Sequence, residues 1–373
     1  MTTRRVKACS GVSPALLLAM SAVLAGMGAS PARADKASAA LAKFKKPVEQ
    51  SVDRALAFLA KQQIGATEAD RARARKGSVD LTGAFGARMK GNTGISGLCV
   101  MAFLAAGHTP GHGPHGEVID RGIDYLLRTQ QTNGMLTTRS GSHGPMYAHC
   151  IATLTLAEVS GMVDRKRQKV IDAVLPKALD VILTAQKVRK STRDAGGWRY
   201  QPTSRDSDMS LTGWAVMALR AGRLNGAAVP KEAINRAVDY ILRCRYRDGG
   251  FAYQPGQGGK ETLTGAAILC LSLCGEHKNK ALIPAGEWLY KRIGHSRGGS
   301  HYYYGMYYCS QGMFQLGGKY WENWAAMMYT TMLKDQAING SWTKHSGQGP
   351  AYSTAMGVLA MTVSYRQLPI YQR

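Results

Sequence analysis

Two kinds of helical pattern alternate along the chain. In the first, apolar residues recur every three or four positions, as in INRAVDYILRCRY (234–246). There Ile234, Ala237, Val238, Ile241 and Leu242 share one face, while Asn235, Arg236, Asp239 and Arg243 share the other. That arrangement is an amphipathic surface helix. The same rule governs 48–63, 118–131, 174–187, 283–293 and 324–336. In the second kind nearly every position is apolar or small, as in TGISGLCVMAFLAAG (93–107), SLTGWAVMALRAG (210–222) and TLTGAAILCLSLCG (262–275). MYAHCIATLTLAE (146–158), YGMYYCSQGMFQLGG (304–318) and YSTAMGVLAMTV (352–363) belong with these. A helix without a polar face is buried in protein.

The alternation is a repeat. GGWRYQP (196–202) returns as GGFAYQP (249–255), 53 residues later, and each copy precedes a helix of the second kind. The unit is therefore an amphipathic helix, a Gly-rich turn carrying an aromatic, and a buried helix. Six units of about 45–55 residues fit a stacked array in which no unit buries its apolar face alone. The predicted fold is all-α, an (α/α)6 toroid with the apolar helices inside and the amphipathic ones outside. An open superhelix is the competing geometry, but it would expose a flank of the apolar helices. Gly196-Gly197 and Gly249-Gly250 supply the backbone freedom of the turn, and Trp198 and Phe251 plug the gap between units. The segment 64–90 interrupts the first unit and reads as a basic surface loop without chemistry.

The first 34 residues stand apart. Arg4, Arg5 and Lys7 precede the apolar run SPALLLAMSAVLAGMGA, and Ala32-Arg33-Ala34 is a small-x-small cleavage site. This is the layout of a secretory signal peptide, so the expected domain is 35–373, exported to the periplasm or outside the cell. No Phe-Leu follows the arginine pair, and Cys9 precedes the apolar run rather than ending it. The chain carries +24, and four of its cations lie in the leader, which leaves about +20 on the exported part. Such a charge is either a generally solvated basic surface or one that suits anionic lipid at a membrane face or an acidic glycan; for an exported protein no nucleic acid partner is expected. Cys99, Cys150, Cys244, Cys270, Cys274 and Cys309 remain, mostly inside apolar helical runs, and read as buried thiols. No zinc-type spacing and no cofactor motif is present, so neither a metal nor a cofactor is expected.

The phrases MYAHCIAT (146–153), GGWRYQP (196–202), Thr212-Gly213-Trp214, YYYGMYYCSQGMFQLGGKYWENW (302–324) and YRQLPIY (365–371) span almost the whole exported part. They resemble the exported squalene-cyclase/prenyltransferase-repeat proteins of bacteria such as planctomycetes. In fold and repeat they resemble terpenoid cyclases and protein prenyltransferase β-subunits. The resemblance implies the same toroid. Squalene-type cyclases carry Asp-x-Asp-Asp at the start of an inner helix, and the second Asp protonates an alkene. Here Asp206-Ser207-Asp208-Met209 occupies that place, with Asp208 as donor and Met209 replacing the final acid. Those cyclases have two barrel domains, where this chain has length for one. Prenyltransferases bind zinc through Asp, Cys and His; Cys309 and His345 lack the flanking pattern.

Uniform turns would point all inner-helix N-termini to one end, a mouth that favours anions. Tyr147, His149, Tyr200, Asp206, Asp208, Tyr253, Glu261, His301 to Tyr304, His345 and Tyr352 gather there. Asp208 has two readings: a general acid whose pKa is raised by desolvation, or a helix cap, a position that favours its ionised form. His149 either pairs with a carboxylate or is a satisfied buried residue. Trp214 and the pairs Tyr303/Tyr307 and Tyr304/Tyr308 either line an isoprenoid-compatible cavity or pack. Three functions follow: an isoprenoid- or lipid-handling enzyme of cyclase or prenyltransferase type, a non-catalytic binder of a lipid, anionic glycan or protein segment, and a polysaccharide lyase or hydrolase.

Overall fold

A computed structural model describes residues 41–65, 80–86, 91–138, 144–293, 301–344 and 346–371. The leader, most of 64–90 and His345 lie outside them. The described residues hold twelve long helices: α1 (Lys45–Gln62), α2 (Thr93–Ala105), α3 (Gly116–Arg128), α4 (Met146–Val159), α5 (Arg165–Lys187), α6 (Met209–Leu224), α7 (Lys231–Arg243), α8 (Glu261–Leu273), α9 (Leu282–Tyr290), α10 (Tyr302–Leu316), α11 (Gly318–Asp335) and α12 (Pro350–Met361). The even-numbered helices are the apolar ones. Each packs on the next, and α12 packs back on α2, so the inner ring is closed. The odd-numbered helices lie outside it, and α11 meets α1.

Burial follows the sequence pattern. In α2 every residue but Ile95 is buried, whereas α7 buries Ala233, Ile234, Ala237, Val238, Tyr240 and Ile241 and exposes Asn235, Arg236 and Asp239. Leu242, expected on the buried face, is only half-buried. Small residues set the closest approach in the inner ring: a Cβ on Gly312 would lie 2.6 Å from the Gly265 carbonyl oxygen, so α8 and α10 touch backbone to backbone.

One turn geometry recurs. Gly83, Gly134, Gly196, Gly249 and Gly340 all have positive φ, and a Cβ there would strike a carbonyl oxygen of another outer helix, at 2.1 Å for Gly196 against Arg236. Two residues on stands the plug: Phe85, Leu136, Trp198, Phe251 or Trp342, each buried. The plug's N–H donates to a side chain in the first turns of the following inner helix: Ser96, His149, Thr212, Thr264 or Thr354. The first copy, Gly83-Ala84-Phe85, sits inside the segment read as a basic surface loop without chemistry; it lacks the double glycine that marks the later copies.

A glutamine holds four of these turns. The Nε2 of Gln186, just inside the end of α5, donates to the turn carbonyl of Gly196 (2.8 Å) and to Ala233 O in the following outer helix (2.9 Å). Gln63 does the same to Gly83 and Val118, and Gln130 to Gly134 and Val174. Gln336 reaches Gly340 O (2.9 Å) and, 285 residues back, Ser51 O (2.8 Å) on α1. Its Oε1 accepts from Ser51 Oγ and Arg54. This amide ties the outer ring at its closure, where the inner ring is already closed by the packing of α12 on α2.

Removing it leaves carbonyls without donors, at ~1 kcal/mol or more each. Gln336→Ala is therefore expected to lose ~1–3 kcal/mol in urea unfolding, with hydrogen exchange rising first in α1 and α11. Equal exchange in all helices would contradict a closure role.

Candidate functional site

The third turn carries the two candidate acids. The backbone of Asp208 bridges antiparallel to Trp198, its N–H donating to Trp198 O at 2.9 Å. The same bond occurs at Asn92 to Phe85 (3.0 Å) and at Lys260 to Phe251 (2.9 Å), so Asn92, Asp208 and Lys260 are equivalent positions of the repeat. Asp208 is the N-cap of α6: its Oδ1 accepts from Leu211 N at 2.8 Å. Asn92 caps α2 in the same way, accepting from Ile95 N at 2.9 Å. A neutral amide thus suffices for the cap, and the charge of Asp208 is surplus to it.

The surplus falls on Oδ2. Asp208 is 0 % exposed and Oδ2 has no partner in hydrogen-bond geometry, although the Tyr253 hydroxyl lies near enough to the carboxyl to favour its charged form. Arg199 Nε stands 3.8 Å from it and 3.3 Å from Asp206 Oδ2. Burial pushes the Asp208 carboxyl up to about 6; the Leu211 N–H, the Arg199 charge and the Tyr253 hydroxyl pull the other way but are outweighed. Asp206, by contrast, is 53 % exposed. The Arg199 guanidinium lies over the rings of Tyr200 (4.6 Å) and Tyr253 (5.6 Å), whose hydroxyls bond each other. The capping and catalytic readings of Asp208 therefore use different oxygens of one carboxyl.

Below the turn lies an aromatic cluster. Ser210 Oγ accepts from Tyr147 (2.9 Å) and bonds Tyr304 (2.7 Å), and Trp214 Nε1 donates to the Tyr304 hydroxyl (2.9 Å). Trp214 stacks on Tyr307 (5.8 Å, 7°), and Tyr304 meets Tyr308 edge-on at 4.8 Å. Tyr147, Trp214, Tyr304, Tyr307 and Tyr308 are thus brought together. Tyr303 is not: its ring packs on Tyr302 at 5.1 Å, and Asp335 of outer helix α11 is among the groups that raise its pKa.

His149 is a turn residue. Its Nδ1 accepts from Leu136 N (3.0 Å) and its Nε2 donates to Ala178 O (3.0 Å). Burial holds its pKa down at about 4, so the ring is neutral. It stands where other units have Ser or Thr, and with both nitrogens engaged it has none for a ligand. Alignment of the five turns, rather than the lone histidine, is the signal that identifies this role. The six cysteines among the described residues are free thiols, all but Cys274 buried. Among the described residues no three metal-ligating side chains gather, and no helix is long and apolar enough to cross a membrane.

The protonation of Asp208 has a measurable sign. Its folded pKa lies above the ordinary 3.8, so between about pH 4 and 6 the folded chain binds more protons than the unfolded one. Its contribution to stability is present below pH 4 and is lost as pH rises through about 6. Asp208→Asn keeps the cap and removes the titration, so its Tm should vary less than the parent's from pH 4 to 7 and match or exceed it at pH 8. Asp208→Ala should be less stable than Asp208→Asn by ~1 kcal/mol. A parent profile that stays flat would show that Oδ2 reaches water.

Residues 120–302 match the family model of the prenyltransferase alpha-alpha toroid domain. Drimenyl diphosphate synthase of Streptomyces showdoensis is 27 % identical over 181 residues, 48 % of this chain and 31 % of the relative. The same-named protein of Streptantibioticus cattleyicolor is 28 % identical over 149 residues, 40 % of this chain and 26 % of the relative. The matches thus span less than a third of these relatives' length. Among solved structures, a family 76 glycoside hydrolase from a bovine Bacteroides thetaiotaomicron strain has a TM-score of 0.60 at 13 % identity, covering 86 % of this chain and 78 % of that one. The type II terpene cyclase MstE from Scytonema has a TM-score of 0.54 at 15 % identity, covering 87 % of this chain and 100 % of that one. These structural likenesses are of fold alone.

Proposed function

We propose that this α/α toroid, which matches the prenyltransferase alpha-alpha toroid domain over residues 120–302 and is similar in fold to a type II terpene cyclase, handles an isoprenoid, with Asp208 as a proton donor. One observation carries the reading: a buried carboxyl oxygen without a hydrogen bond, at a position where the equivalent Asn92 makes the same cap without a charge. The chemistry is an isomerisation. The Asp208 O–H proton adds to an alkene carbon of a polyprenyl chain, the resulting tertiary cation is attacked by a neighbouring alkene, and loss of a proton ends the sequence. No co-reactant is consumed. The faces of Trp214, Tyr304 and Tyr307 suit a passing cation. Relatives support this class of ligand: an MstE structure holds geranylgeranyl dihydroxybenzoate as substrate.

A general acid must be protonated, so turnover should fall about tenfold per pH unit above pH 6. Incubation with linear C15 and C20 polyprenyl chains, with and without a phosphate or carboxylate head, followed by mass spectrometry of cyclised products, tests this. Asp208→Asn should abolish product while the fold persists. Arg199→Gln removes a charge that lowers the Asp208 pKa, so its alkaline limb should move to higher pH. Unchanged turnover in Asp208→Asn would remove the acid role.

A non-catalytic binder is the second reading, favoured by the aromatic filling of the lumen, with Tyr307 and Tyr308 fully buried. The basic surface then suits anionic lipid or glycan, and binding to anionic vesicles should weaken with salt. A glycan-cleaving role has less support: that chemistry uses two carboxylates facing across a gap of ~5–10 Å, whereas Asp206 and Asp208 share one guanidinium. Export belongs to the same proposal. Protein recovered from the periplasm or medium should have the mass of a chain beginning at Asp35.

A further inference from the structure

The lumen has an occupant at the end opposite Asp208. After α12 the chain turns through 363–365 and a left-handed Arg366 (φ 53°), then sends Leu368–Tyr371 back into the ring. Leu368, Ile370 and Tyr371 are buried, at 2 %, 1 % and 7 % exposed. The short turn Pro369–Tyr371 packs on α6. The Tyr371 hydroxyl bonds that of Tyr307, and both hydroxyls lie 3.7 Å from Met217 Sδ. Ile370 N–H donates to Glu158 Oε2 at 3.2 Å, in the last turn of α4.

This segment is held as a guest is held. It adds no turn to any inner helix, and its grip is two aliphatic side chains, a phenol and one N–H donor. Glu158 supplies an independent sign of a binding place. It is 1 % exposed, and its Oε1 has no hydrogen-bond partner. Burial raises its pKa to about 8, against a lowering by the Ile370 N–H, so the carboxyl is neutral at pH 7. A neutral buried acid with a spare oxygen accepts a hydroxyl's hydrogen bond or donates its own proton to one. Among the described residues no cation is paired with it, so an anionic head group would be buried there without a counter-charge.

We propose that the lumen end framed by Glu158, Met217 and Tyr307 is a binding site for a branched apolar chain ending in a hydroxyl, a neutral isoprenoid alcohol, and that residues 368–371 are its built-in occupant. The site deepens the isoprenoid reading and rests on it for the choice of probe. It does not require Asp208 to be an acid, and its test measures binding rather than turnover, so the two fail separately.

The experiment replaces residues 368–371 with glycine and serine and measures binding of tritiated farnesol, with its hydrocarbon, farnesane, alongside. A variant that still melts cooperatively should bind farnesol at least tenfold more tightly than the parent. The peptide Leu-Pro-Ile-Tyr-Gln-Arg, added in trans, should compete. Glu158→Leu in the opened chain should erase the preference for farnesol over farnesane, which a merely sticky surface would not show in the first place. Cooperatively folded opened protein that binds no better than the parent, or takes alcohol and hydrocarbon alike, or ignores the peptide, overturns the proposal. If the replaced chain does not fold, Tyr371→Ala takes its place, with a several-fold gain expected. Failure of that variant to fold makes the segment an indispensable part of the core and overturns the proposal as well.

Discussion

The ring rests on an uncharged amide at its joints. A helix end leaves carbonyls without partners, and a turn that reverses direction leaves more. Gln63, Gln130, Gln186 and Gln336 each bring two N–H donors to two such carbonyls, one in the turn and one in the following outer helix. An amide does this without the desolvation cost of a charge. Because Gln336 makes the same reach to α1 that the others make to α3, α5 and α7, the last joint is of the same kind as the first three. The left-handed glycine pressed on an outer-helix carbonyl fixes the angle of each turn, and the parallel inner helices and their common mouth follow.

A repeated scaffold makes its exceptions legible. Asn92, Asp208 and Lys260 share one backbone hydrogen bond and differ in side chain, so the difference is not needed to build the turn. His149 is an exception of the opposite kind: a residue type often met in chemistry, used for the bond that a threonine makes elsewhere. The structure thereby separates two residues that looked alike as candidates. Both are buried at a helix start, but only Asp208 keeps an unused polar atom.

The alternation of helices, the six units and the aromatic plugs were readable because they rest on local periodicity and on copies such as GGWRYQP and GGFAYQP. The first turn escaped because Thr82-Gly83-Ala84-Phe85 keeps the left-handed glycine and the plug but not the second glycine. The spacing of Tyr303 and Tyr307 leaves lining and packing equally open, and only the folded chain shows the Tyr303 ring packed on Tyr302. YRQLPIY stood out as a phrase, yet its destination was hidden, since Ile370 meets a partner 212 residues away.

Sequence alone therefore determined which segments are helices, which are buried on all sides, and that they stack as repeats. Hydrophobic period and glycine conformation act within a few residues, so they can be read in order along the chain. Tertiary structure decided that the ring closes, which oxygen of Asp208 is left over after capping, and what fills the lumen. Those outcomes depend on desolvation and hydrogen-bond partners contributed by residues far apart in the chain, which no local pattern encodes.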